Sequence, residues 1–207
     1  MKFNKNKKEI QKGTAHLLRN DTHLATLIKK IGKCNLHLQD NYYLALLQSI
    51  ICQQLSSYAA DAIFNRFLIF FKKNPSPVKI LLAEQSEIRN LGLSNSKVKF
   101  VKDLSNKIIN REIDLKSIDS KTDDEIISEL IKVKGIGIWT VHMFLIFSIG
   151  RLNILPISDL GLKRAIMFTY RLRKLPDEKR FIRLSKENNW NPYCSIACWY
   201  LWKSLEK

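Results

Sequence analysis

The chain reads as an all-α protein, on three observations. Only seven glycines and five prolines interrupt 207 residues. Apolar side chains recur at spacings of three and four almost throughout, and residues with helix-capping chemistry stand in front of several apolar runs. An apolar content of 45% fits a folded globular protein, and the length allows one large domain or two small ones around a real core.

In chain order, Met1-Lys2-Phe3-Asn4-Lys5-Asn6-Lys7-Lys8 reads as a basic tail without the apolar segment of a signal peptide. Tyr42 to Phe71 is a long helical region, interrupted near residues 52–57, where paired glutamines and paired serines suit a turn and a cap. Asn74-Pro75-Ser76-Pro77 is a linker. Leu91-Gly92-Leu93-Ser94 ends a short helix, and Ser94 or Ser96 caps a basic helix over 97–109. Thr122-Asp123-Asp124-Glu125 is a capping box that starts a helix near Asp123 and carries it to about Lys132. After a Gly-x-Gly turn, the run from Trp139 to Phe147 is apolar nearly all round and predicts a buried helix ended by Gly150. Residues 153–156 form an extended loop, Asp159 opens the next helix, basic residues crowd the stretch from Lys163 to Arg183, and 194–205 is the closing helix.

Charge narrows the function classes. Lys and Arg number 35 against 19 Asp and Glu, a formal net charge of +16. Such a field draws polyanions and makes binding sensitive to salt, and it disfavours an acidic protein partner. No run approaches the ~20 apolar residues of a membrane span, so an intracellular protein is expected, in cytoplasm and nucleoid or in a nucleus. Cys34, Cys52, Cys194 and Cys198 do not make a secreted disulfide framework in a chain of this size.

The most informative stretch is Ile131-Lys132-Val133-Lys134-Gly135-Ile136-Gly137-Ile138-Trp139-Thr140-Val141, with Leu155-Pro156-Ile157-Ser158-Asp159-Leu160-Gly161-Leu162 behind it. A helix end runs into a glycine turn and a second helix begins at once. Glycines bring bare N–H groups to the surface, and the helix start adds positive potential, so the hairpin is a seat for a phosphate. Asp159 follows Trp139 by twenty residues, at the start of another helix. A phosphate clamp and one placed carboxylate suit chemistry on nucleic acid.

These strings resemble the helix-hairpin-helix DNA glycosylase superfamily, in which a Gly/Pro-rich loop and a catalytic aspartate follow the hairpin, and within it the 3-methyladenine DNA glycosylase II group. Three more segments are similar to that group: Gln53-Gln54-Leu55-Ser56-Ser57-Tyr58-Ala59-Ala60, Leu91-Gly92-Leu93-Ser94-Asn95-Ser96-Lys97 and Trp190-Asn191-Pro192-Tyr193-Cys194-Ser195-Ile196-Ala197. The resemblance implies two helical domains with the hairpin at the cleft between them: a barrel-like bundle over 42–150, and a second made of 14–41 and 151–207.

It also implies roles. Asp159 is the expected catalytic carboxylate, opposing the positive charge that grows on the sugar as the base leaves. Trp139 and Tyr193 are the expected walls of the base pocket. Lys134, Gly135, Gly137 and Thr140 are expected on DNA, with Gln53, Gln54 and Leu55 in the segment that enters the gap left by a flipped base, Gln54 or Leu55 being the wedge. The backbone carbonyls of Ile131, Val133 and Gly135 match a monovalent cation site, Na or K, and no other cofactor is required. Some relatives carry an iron–sulfur loop; its four-cysteine run is missing here, so no cluster is expected. Bifunctional relatives place a lysine nucleophile where this chain has Trp139, which implies a monofunctional hydrolase. The sequence departs from the group's pattern at Tyr193 and Cys194, where tryptophan and arginine are usual. The expected partner is double-stranded DNA with damaged bases, bound by a monomer. The alternatives are a glycosylase for oxidised guanine or uracil, and a hairpin module that binds DNA without cutting it.

Overall fold

The computed structural model of the protein describes residues 2–206, and side chains from Lys7 onward. Every regular element among the described residues is helical. The chain divides into two compact units, one of Met1–Leu38 with Leu145–Lys207 and one of Gln39–Phe144.

The basic N-terminus, expected as a tail, is instead the start of helix α1 (Lys2–Asn20). Ile10, Gly13 and Leu17 form a narrow buried stripe along it while its polar residues face out, an amphipathic pattern that the run of lysines hides from a reading of composition. Helix α2 (Thr22–Ile31) begins at Asp21, whose side chain accepts from the N–H groups of His23 at 3.0 Å and Leu24 at 2.9 Å.

The middle unit is built on α3 (Tyr42–Cys52), with Leu46, Leu47, Ile50 and Ile51 wholly buried. Helices α4 (Ser57–Phe70) and α7 (Asn95–Ile109) pack on it, and α5 (Pro77–Leu82) and α6 (Gln85–Asn90) pack on α7; the four are capped by Ser56, Ser94, Ser76 and Glu84 respectively. The segment expected as a linker thus contains a helix start: Pro77 occupies the first turn, where its missing N–H costs nothing. Helix α8 (Asp123–Leu130) carries the Thr122/Glu125 capping box and stops two residues earlier than expected. Helix α9 (Ile138–Phe144) is not buried all round. Ile138 and Trp139 are 44% and 46% exposed, and only from Thr140 onward does the helix enter the core, through Val141 and Phe144.

From Leu145 the helix widens into a π turn (Leu145–Ile149), which Gly150 ends with φ +83°. The remaining helices are α10 (Leu160–Thr169), α11 (Glu178–Glu187) and α12 (Cys194–Lys203). With α1 and α2 they bury Leu17, Leu24, Leu162, Ile166, Phe181, Trp190, Ile196 and Tyr200. Helix α1 lies so close to this core at Gly13 that an added Cβ would stand 2.3 Å from Ile196 and 2.6 Å from the Tyr193 ring. Asp21 is 1% exposed yet fully answered: besides the two N–H groups of α2 it accepts from the Tyr170 hydroxyl and from Trp190 Nε1 at 2.7 Å. A buried carboxylate with that many donors is a structural tie between α2, the end of α10 and the loop before α12.

Candidate active site

The hairpin between α8 and α9 is closed by its own backbone, with Ile136 N–H donating to the Val133 carbonyl at 3.1 Å. Gly135 is required twice over: its φ is +84°, and a Cβ there would lie 2.2 Å from the Phe100 ring. At Gly137 a Cβ would meet nothing within 4 Å, so this is the glycine that leaves room for something from outside. Lys134 is exposed, and its backbone N–H donates to Asp103 Oδ2 of α7 at 2.9 Å. Thr140 is only 5% exposed, so of this expected DNA contact the side chain is turned into the core. Trp139 presents nearly half its surface beside the turn.

The segment after α3 is bolted to this hairpin. Gln53 Nε2 donates to the Gly135 carbonyl at 2.8 Å, and Lys97 Nζ of α7 donates to the carbonyls of Ile51 and Gln53, each at 2.8 Å. Lys97 thereby satisfies the carbonyls that a helix end leaves open, and burial pulls its ammonium below the usual lysine range. Held on one side, the chain swings through Gln54 at φ +57° and exposes both Gln54 and Leu55. Gln53 is thus an anchor, whereas Gln54 and Leu55 are presented outward, followed by Tyr58 at 87% exposure. Of the three carbonyls expected to hold a cation, that of Val133 accepts from Ile136 and that of Gly135 from Gln53. Each such oxygen keeps a second lone pair.

Asp159 caps α10 and is 8% exposed. Its Oδ1 accepts from the Leu162 N–H at 2.6 Å and from Trp202 Nε1 of α12 at 3.2 Å. The Trp202 ring leans on Phe147 of the π turn, with centroids 5.7 Å apart. Gly161 leaves the space this arrangement needs, since a Cβ there would stand 3.1 Å from Asp159 Oδ1 and 3.7 Å from the indole. The loop leading to Asp159 is held by Ser195, whose Oγ accepts from Ile154 N–H at 3.0 Å and donates to the Arg151 carbonyl at 2.7 Å. Burial pushes the neighbouring thiol of Cys194 up to about 11 and that of Cys198 well above its usual range, so both stay protonated. No group of three or more His, Cys, Asp or Glu among the described residues is arranged to hold a metal. Tyr193 is half-buried and rests on α1, its ring over Gly13 and 5.3 Å from His16. These are packing contacts.

Residues 47–191 match the family model described as HhH-GPD superfamily base excision DNA repair protein. The chain belongs to that superfamily. It is 30% identical to the alkylbase DNA glycosidase-like protein mag2 of Schizosaccharomyces pombe, over 94% of this chain and 93% of that one. Among solved structures it is similar to the 3-methyladenine DNA glycosylase Mag1 of S. pombe in complex with abasic DNA, at TM-score 0.83 and 32% identity, covering 93% of this chain and 96% of that one. It is equally similar in fold to a DNA-3-methyladenine glycosidase of Bacillus halodurans, at TM-score 0.83 and 30% identity, covering 93% and 88%. The expected fold, two helical bodies with a helix-hairpin-helix of the glycosylase type, is that of the superfamily.

Four residues of these sites carry no assignment from sequence. Lys97 and Ser195 stand inside the strings that carry the resemblance, but their work is on backbone carbonyls and N–H groups, which leaves no mark in residue type. Asp103 reads as one more charge on a solvated helix face. Trp202 sits in an apolar run eight residues into α12, and nothing near it in sequence points to Asp159.

Proposed function

We propose that the protein is a DNA glycosylase that removes alkylated purines of the 3-methyladenine kind from duplex DNA, hydrolysing the N-glycosidic bond and leaving an abasic site in base excision repair. The observation that carries this is the buried carboxylate of Asp159, hydrogen-bonded from both α10 and α12, in a chain whose relatives are named for 3-methyladenine.

Loss of the base leaves the sugar with positive charge at its anomeric carbon. A carboxylate already oriented needs no reorganisation as that charge appears, and so favours the transition state over the bound ground state. Water completes the reaction. The hairpin at Gly137 and Lys134 takes a phosphate, and a monovalent cation on the second lone pairs of the Ile131, Val133 and Gly135 carbonyls would add positive charge there. The exposed Gln54 and Leu55 fill the gap when the damaged nucleotide turns out of the stack. Trp139 offers an open aromatic face, which attracts a cationic alkylated purine more than a neutral base. It also stands where a lyase needs an amine, so no Schiff base forms and the strand stays whole.

The test is Asp159→Asn on duplexes carrying single defined lesions. Single-turnover excision of the alkylated purine falls by roughly 10²- to 10³-fold, with affinity for the same duplex kept within a few-fold. Borohydride traps no covalent adduct with the unaltered protein, and breaks appear only after alkali. Excision by the Asn variant at near the normal rate would remove Asp159 from the mechanism. Tight binding without excision by the unaltered protein would make it a binding module.

A further inference from the structure

We infer that Trp202 is a positioning residue for Asp159: its indole N–H fixes the carboxylate in the orientation the reaction uses. The inference rests on Asp159 being the reacting acid. A carboxylate at a helix start is free to turn about χ2 unless a donor from beyond its own cap also holds it. One donor, the Leu162 N–H at 2.6 Å, belongs to the helix that Asp159 caps, and any N-cap aspartate has it. The second, Trp202 Nε1 at 3.2 Å, comes from α12, 43 residues on, and an ordinary cap does not have it. With both on Oδ1, the carboxylate plane is defined by two helices that a purely local cap would leave independent.

Three further features hold the indole itself in place. Phe147 lies against it at a 39° tilt, supplied by the π turn rather than by a regular helix; single π turns of this kind re-aim side chains, and they concentrate at functional sites. A Cβ added at Gly161 would touch the indole at 3.7 Å and crowd Oδ1 at 3.1 Å, so the glycine keeps the space beside the pair clear. Cys198, one turn before Trp202 on α12, is fully buried and feels the Asp159 charge. The pair is therefore walled in by small or rigid neighbours, which is what holding an angle requires and what a surface cap does without.

The experiment replaces Trp202 by its benzothienyl isostere, which puts sulfur in place of the N–H and keeps the bicyclic ring, with Trp202→Phe as the encoded companion. Single-turnover excision of an alkylated purine drops roughly 10-fold with the isostere, the worth of one hydrogen bond to a charged acceptor. Duplex affinity stays as it was, and the thermal midpoint falls by no more than the few degrees that one lost hydrogen bond is worth. In the Asp159→Asn background the same replacement has no further effect, because the two residues act through one carboxylate. An isostere as fast as the unaltered protein, or one that loses excision only together with affinity, overturns the inference while leaving Asp159 in its role. An active Asp159→Asn protein overturns the reading beneath it, and the two failures are told apart by that single variant.

Discussion

At Gly135 an added methyl group would meet the Phe100 ring at 2.2 Å with the backbone at φ +84°, whereas at Gly137 it would meet nothing. From sequence the two glycines of one Gly-x-Gly are equivalent; in three dimensions they are not. Gly135→Ala should destabilise the fold by about 2–3 kcal/mol, through left-handed backbone and overpacking together, read as a shift in the urea midpoint. Gly137→Ala should leave stability within about 0.5 kcal/mol and weaken binding to damaged and undamaged duplex alike, since only an incoming phosphate feels the methyl. Unchanged binding by Gly137→Ala with the fold intact would take the phosphate seat away from the hairpin. Asp159 stands out in the sequence because its neighbours form a rare string. Asp21, as deeply buried, was invisible: its partners Tyr170 and Trp190 lie 149 and 169 residues away, and an aspartate before a helix otherwise reads as a simple cap.

Helix ends were legible wherever a side chain made them. Thr122 with Glu125, Ser94 and Asp159 all cap the helices their positions announce, because a cap is a local bond between residues two or three apart. What the sequence hid were features set by distant packing: α1 behind its lysines, the exposed first turn of α9, and the π turn that follows. In α9, His142 faces inward with Nδ1 buried and without a hydrogen-bond partner, and burial pulls its pKa below the usual value despite nearby Asp123. The unfolded chain binds that proton more readily than the folded one, so stability is full above about pH 6.5 and falls as pH drops toward the lowered folded value. The midpoint of thermal unfolding should thus fall less between pH 7 and pH 5 in His142→Leu than in the unaltered protein. Parallel curves would assign the acid sensitivity elsewhere.

For the whole molecule the governing quantity is the net charge of +16, displayed in part by the exposed Arg171, Arg173, Lys174, Lys179 and Arg183. Affinity for undamaged duplex should fall by an order of magnitude or more between about 50 and 200 mM salt, with a log–log slope near −0.9 for each phosphate neutralised. The rate of base release from saturated enzyme should change little over the same range, because it depends on a buried carboxylate and not on screened surface charge. A flat salt response would mean that the basic surface does not touch DNA. The proposal of DNA as partner draws on charge and motif, both legible in the sequence; the assignment of the two chain ends to one unit followed only from resemblance, since no local pattern joins residue 21 to residue 190.

That joining has a consequence for how the molecule is made. Of these helices a ribosome releases α1 and α2 first, yet two of the groups that satisfy Asp21, the Tyr170 hydroxyl and the Trp190 indole N–H, follow 149 and 169 residues later, a wait of roughly 7 to 35 seconds at about 5–20 residues per second. In the interval the middle unit, one uninterrupted stretch of chain, has all its own contacts to hand, while the leading helices carry an acid held only by the N–H groups of α2 and an uncovered apolar stripe. These two helices, made before the rest of this fold, are therefore among the last parts of it to settle, and it is there that a nascent chain would need shelter.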